Sequence, residues 1–179
     1  MATPVIFLHG ASSAGKSTLA RAIQAAAPRP FWHLGLDHLR DGGTLPMARY
    51  RAGDFDWATD RARIFAGLHA MLGAVAQTGN PLIVEHILDL PGWIEAMRAA
   101  LAGCDVLFVR VDCTPAALAA REAARGDRAA GSALRDQAGV HEGLVYDLVL
   151  SGADDPAENA RTVLRALSHG VRRSAFAGA

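Results

Sequence analysis

Short, unbroken apolar runs alternate along this chain with longer segments of 3.6-residue period. That alternation predicts an α/β fold with a parallel sheet. "PVIFLH" is continuously apolar, as a strand buried on both faces should be. "GKSTLARAIQAAA" follows as a helix stopped by Pro28 and Pro30, and "FWHLGL" reads as a second strand ending at Asp37. From His38 to Asp56 no period is visible, and Gly, Asp and Arg dominate; this is expected to be a long functional loop with room for a short helix. Phe65, Leu68, Leu72 and Val75 recur at spacings of three and four, which predicts an amphipathic helix over Trp57–Thr78. "PLIVEHI" is the third strand, and "LPGWIEAMRAAL" is a helix with Trp93, Met97 and Leu101 on one stripe. "DVLFVRVD" is the fourth strand. Thr114 then caps a helix with Pro115 at its first position. "LVYDLVLS" is the fifth strand, and "DPAENARTVLRALSH" is the last helix, with Asp155 and Glu158 at capping-box spacing. Residues 170–179 are expected to fray. The order predicts one domain over residues 1–179, a three-layer α/β/α sandwich around a five-stranded parallel sheet.

Composition changes this picture little. Half of the residues are hydrophobic, a fifth are charged and the net charge is zero, so the basic footprint of a nucleic-acid binder is missing. No apolar run approaches the roughly 20 residues that cross a bilayer. "PVIFLHG" follows Met1 almost directly, without the basic region or cleavage site of a signal peptide. Cys104 and Cys113 flank one strand of about 30 Å, too far apart for a disulfide. The expectation is a reduced, cytoplasmic protein.

One residue stands out. Lys16 is the only lysine, against seventeen arginines. It lies in Gly10, Ala11, Ser12, Ser13, Ala14, Gly15, Lys16, Ser17, which fits G-x-x-x-x-G-K-[ST] between a strand and a helix. In that geometry the loop's N–H groups, through Thr18, cradle the phosphates of a nucleotide, and the helix N-terminus adds partial positive charge. Lys16 would reach the β- and γ-phosphates, and the Ser17 hydroxyl would ligate Mg²⁺. A compact ammonium suits such a cradle where a planar guanidinium does not.

The carboxyl ends of parallel strands gather ligands, so Asp37 should face the same crevice. It can accept the proton of an attacking hydroxyl; an aspartate there could equally cap the next helix. Glu85 ends the third strand and could hold Mg²⁺ through a water or touch substrate, whereas His86 points the other way along the strand. His86 reads equally as a polar strand end. Arg121, Arg125 and Arg128 are spaced four and three apart and share a helix face. Between Gly126 and Gly131 hinges, residues 121–136 are expected to form a lid over the transferring phosphoryl group, with Arg121 on the nucleotide. His141 could contact ligand or simply be packed.

"GASSAGKS", "GLD" and above all "EAARGDRAAG…VHEGLVYDLVL" resemble the chloramphenicol phosphotransferase family of small P-loop kinases, over nearly the whole chain. The resemblance implies the P-loop kinase fold and transfer of the ATP γ-phosphate to a hydroxyl of a small antibiotic. It places the base at Asp37, the phosphate and metal positions at Lys16 and Ser17, and the lid arginines at Arg125 and Arg128. This chain departs from the pattern at Glu85-His86, where the chloramphenicol enzyme has paired aspartates, and in 38–56. There it offers Arg40, Asp41, Arg49, Arg51, Asp54 and Asp56. Such a loop, with Arg40 and Arg51 among its substrate contacts, suits a polar aminocyclitol or an aminoglycoside such as hygromycin at least as well as a nitrophenyl acceptor. Two other functions fit the residues: a kinase of a nucleotide, sugar or shikimate-like metabolite, and an ATP-sensing regulator. Asp37 and an arginine lid favour a kinase, because a sensor needs neither.

Overall fold

The computed structural model describes residues 2–125 and 139–177, with the side chains of Glu122, Ala124 and Arg125 outside that description. Its centre is β1 (Pro4–His9), whose last five residues are all buried, as an uninterrupted apolar run requires of a central strand. Around it stand β2 (Trp32–Gly35), β3 (Leu82–His86), β4 (Asp105–Asp112) and β5 (Leu148–Ser151). All pairings are parallel, in the order β2-β3-β1-β4-β5. The order reverses direction beside β1, which opens a crevice at the carboxyl edge. Register sets Leu8 beside Glu85 and His9 beside His86, so β1 and β3 end level with each other.

Helices cover both faces. α1 (Lys16–Ala26) packs against the last helix, α7 (Pro156–His169), on one face, over Ile6, Leu8, Ile83 and Val109. α4 (Trp57–Gln77) and α5 (Trp93–Ala100) close the other, over Phe7, Val84 and Phe108. α4 starts where Asp56 accepts from the N–H groups of Ala58 and Thr59. α6 (Pro115–Arg125) starts at Thr114, whose Oγ1 accepts from Ala117 N at 3.3 Å. At α7 only half of the expected capping box forms. Asp155 accepts from Ala157 N, but Glu158 pairs with Arg161 instead. No described helix is long and apolar enough to cross a membrane.

Three elements differ from the sequence reading. The long loop after β2 is largely helical, with α2 (Leu36–Asp41) and α3 (Met47–Ala52) inside it. Asp37 therefore sits in the first turn of α2, not at a strand end, and Gly35 holds the N-cap position. β5 begins at Leu148 rather than near Leu144, because Asp147 Oδ2 takes the Phe108 N–H that a longer ladder would use. Finally, residues 171–177 are docked rather than frayed. Arg172 grips Asp105 at 2.8 and 3.1 Å, and Phe176 is 4% exposed, with its ring 5.1 Å from Phe7 and 5.0 Å from Phe108. Cys104 and Cys113 form no disulfide, and Cys113 Sγ accepts from Arg121 Nη1 at 3.6 Å.

Candidate active site

The loop leaving β1 turns sharply. Gly10, Ser13 and Gly15 all have positive φ, and a Cβ on Gly10 would meet the Val111 carbonyl oxygen at 2.3 Å. Gly15 occupies the N-cap of α1. Lys16, 8% exposed, folds inward and its Nζ donates to the carbonyls of Gly10 and Ala11 at 2.9 and 2.8 Å. Ser17 Oγ donates to Glu85 Oε2 at 2.8 Å, and the other oxygen of that carboxylate meets His33 Nε2 in a short contact. Burial alone would push the Glu85 carboxyl up. His33, the Lys16 charge and the Ser17 hydrogen bond together outweigh it and hold the group ionised, below its ordinary range.

Arg121 is a clasp on this loop. Its Nη1 donates to the carbonyls of Ser13 (3.3 Å) and Ala14 (3.2 Å), and its Nη2 donates to Gly152 O at 2.8 Å. The loop after β5 comes so close that a Cβ on Gly152 would stand 1.8 Å from Ala14 O.

Ser13, Gly15, Lys16, Ser17, His33, Glu85, Arg121 and Gly152 line a cavity of about 1370 Å³, together with Arg21, Ala153, Asp154 and Pro156. The same cavity is lined by Asp37, Arg40, Asp41, Met47, Trp57, Arg61, Phe65, His86 and Asp89. Asp37 Oδ1 accepts from Arg40 Nη1 at 3.2 Å. His86 lines the cavity but belongs to the α4 face, as alternation along β3 requires. Its Nε2 lies 2.8 Å from His69 Nε2, and its ring packs among Phe7, Phe65 and Trp93. Burial, then His69 and the more distant Lys16 charge, push its pKa down to about 3.

Two expected substrate contacts fall elsewhere. Arg51 is exposed on α3 and does not line the cavity. His141 belongs to a chain of hydrogen bonds beneath the phosphate loop. His9 Nε2 accepts from Leu88 N at 3.0 Å, so His9 carries its proton on Nδ1 and donates to Tyr146 Oη at 2.8 Å. Tyr146 then donates to His141 Nδ1 at 2.8 Å, and His141 Nε2 faces Asp112 at 3.7 Å. Burial leads the causes that bring His9 to about 2 and His141 to about 4, so the chain is built from neutral imidazoles. The Arg125 side chain, Arg128 and most of the expected lid lie outside the described residues. Sequence reasoning missed His9, His33, Arg61, Asp89, Tyr146 and Gly152. Only His9, directly before Gly10, carried a local signal.

A curated Mycobacterium tuberculosis (strain ATCC 25618 / H37Rv) protein, provisionally named an O-phosphotransferase, is 27% identical over 171 residues, covering 85% of this chain and 76% of its own length. Among solved structures, the Mycobacterium tuberculosis APS kinase in complex with AMPPNP and APS superposes with a TM-score of 0.69, at 20% identity, over 94% of this chain and 99% of that one. A sugar kinase from Janibacter sp. HTCC2649 gives 0.67 at 21% identity, over 93% and 95%. These two share the P-loop kinase fold with this chain. Residues 3–168 match the model of the chloramphenicol phosphotransferase-like proteins, and the chain belongs to that family of kinases.

Proposed function

We propose that this protein moves the γ-phosphate of ATP to a hydroxyl of a small molecule, an antibiotic of the polar, hydroxyl-rich kind being the acceptor its loop residues suit. One observation carries the reading: the Asp37 carboxylate lines the same cavity as Lys16 and Ser17. ATP enters along the phosphate loop. Lys16 exchanges its two carbonyl partners for the β- and γ-phosphates, and the N–H groups at the start of α1 take the remaining charge. Arg121 holds the loop against Gly152 and so keeps the phosphate cradle in shape for the nucleotide. Asp37, oriented by Arg40, accepts the acceptor's proton as its oxygen attacks. Ser17 and Glu85 fit a magnesium ion, since both present hard oxygen donors and Glu85 is held ionised. A bound ion would supply charge neutralisation at the phosphates. Arg125 and Arg128 are assigned to the transferring phosphoryl group by the family pattern alone.

Asp37→Asn tests the assignment. ATP affinity should stay near wild type while transfer falls by about 10²–10⁴, toward the low end if the transition state is loose. Nucleotide titration with and without Mg²⁺, beside ADP release over a panel of hydroxylated antibiotics and metabolites, reads both. Undiminished turnover by Asp37→Asn would remove it from the chemistry. ATP binding without turnover of any acceptor would favour the sensor.

A further inference from the structure

The side of the cavity read above as the acceptor side holds a built pair that the phosphotransfer step does not use. Arg61 Nη2 on α4 donates to both carboxylate oxygens of Asp89, at 2.7 Å each. The guanidinium lies 4.8 Å from the centre of the Trp93 ring and 5.1 Å from that of Phe65, and those rings stack on each other at 4.1 Å. Aromatic faces and carboxylate together fix the arginine in one orientation. Both side chains still reach the cavity, at 24% and 28% exposure. Arg61 Nε and Nη1 make no hydrogen bond among the described residues.

The charges on this side come in pairs. Arg40 carries Asp37 and Arg61 carries Asp89, so among the described residues each acceptor-side arginine lining the cavity already has its carboxylate. Asp41 adds a further negative charge. A carboxylated acceptor would meet arginines already neutralised by their partners and the added Asp41 charge, an arrangement that like-charge repulsion disfavours. A hydroxyl is donor and acceptor at once. Neighbouring hydroxyls can therefore donate hydrogen bonds to Asp89 and accept them from Arg61 Nε or Nη1 without breaking the pair.

We infer that the Arg61–Asp89 pair is the acceptor-recognition element of this site and that it selects neutral or amino-substituted polyols over carboxylated ones. The inference rests on reading that side of the cavity as the acceptor site.

The test measures binding, so it stands apart from turnover. Glucose, glucosamine and glucuronate share one polyol frame and differ in charge. Each is titrated by calorimetry and ligand-observed NMR into the protein saturated with AMPPNP and Mg²⁺. Glucose and glucosamine should bind about tenfold more tightly than glucuronate. Asp89→Asn leaves the guanidinium uncompensated and should reverse that order, a change that a merely structural role would not produce. Arg61→Met keeps bulk against the rings but leaves Asp89 uncompensated, so it should weaken glucose and glucuronate by about tenfold while sparing glucosamine, whose ammonium the bare carboxylate attracts; thermal unfolding of each variant confirms that it is folded. A wild-type preference for glucuronate, an unchanged order in Asp89→Asn, or no binding by any of the three overturns the inference. Failure of the phosphotransfer reading itself shows separately, as ATP binding without ADP release across the acceptor screen.

Discussion

Acidification from pH 7.5 to 5 should cost this protein several kcal/mol of stability, in a window where few globular domains lose much. His9 is fully buried and His86 is 3% exposed. Both are held neutral in the fold, with pKa values of about 2 and about 3 against an ordinary 6.5. The sign follows from linkage. The folded pKa is depressed, so each histidine's stabilising contribution is complete above 6.5 and is lost as pH falls, because the unfolded chain takes up a proton that the folded chain refuses. Each pH unit below 6.5 costs about 1.4 kcal/mol per histidine. Between pH 6.5 and about 5 the two together remove about 4 kcal/mol, against a total stability of roughly 5–15 kcal/mol. His141, at about 4, adds to the loss. Glu85 does not blur the window, since its contribution falls only below its ordinary 4.5. Urea titrations at pH 7.5, 6.5, 5.5 and 5, followed by tryptophan fluorescence, measure the slope. His86→Phe, whose ring suits the cage of Phe7, Phe65 and Trp93, should reduce it. A stability that changes by less than about 1 kcal/mol across that range would refute the neutral-histidine account.

Other parts of the structure predict distinct outcomes. Gly152→Ala drives a methyl into Ala14 O and loosens the Arg121 clasp, so it should cost about 1–3 kcal/mol and weaken ATP binding. Gly67→Ala, on an open face of α4, should be neutral or stabilise by up to about 1 kcal/mol, and equal behaviour of the two in thermal unfolding would contradict the steric argument. Lys16→Arg should lower turnover by about 10²-fold or more, because a fork does not fit where Nζ now sits between two carbonyls; near-normal steady-state rates would disprove this. Phe176→Ala should cost about 3 kcal/mol and lower Tm by about 6–12 °C; an unchanged Tm would mean that the tail contributes nothing.

What the sequence made legible, and what it hid, follows from how far apart the deciding groups lie. β4 was readable to the residue because "DVLFVRVD" is decided by its own apolar run. The phosphate loop was readable because strand, glycines and helix are contiguous. β5 was not, since its start is set by Asp147 reaching back to Phe108, 39 residues away. The tail read as frayed because Phe176 stands among small residues with no period, and its partners are on β1 and β4. Likewise Arg61 looks like an ordinary helix-surface arginine until Asp89, 28 residues on, closes over it. His9 was visible beside Gly10, yet its proton position is decided by Leu88 and Tyr146, 79 and 137 residues away. Local pattern thus located the loop over residues 10–17, and only the fold brings Asp37, Arg61 and Asp89 into the cavity it lines.

The single lysine can now be weighed against the arginine closest to it in role. Both residues serve the phosphate loop through its carbonyls, but they do so in different geometries. Lys16 makes two bonds from one nitrogen inside the turn, to Gly10 and Ala11, on a stem slim enough to stay 8% exposed beneath the backbone. Its rotatable point charge can leave those carbonyls and turn to a phosphate without moving the loop. Arg121 acts from outside and spans Ser13, Ala14 and Gly152 with two nitrogens of one rigid fork. A lysine at 121 could not bridge the two loops in that way, and an arginine at 16 could not swing within the turn. In the proposed reaction the one lysine of a chain otherwise written in arginine is thus the group that changes partners, and Arg121 is the contact that holds.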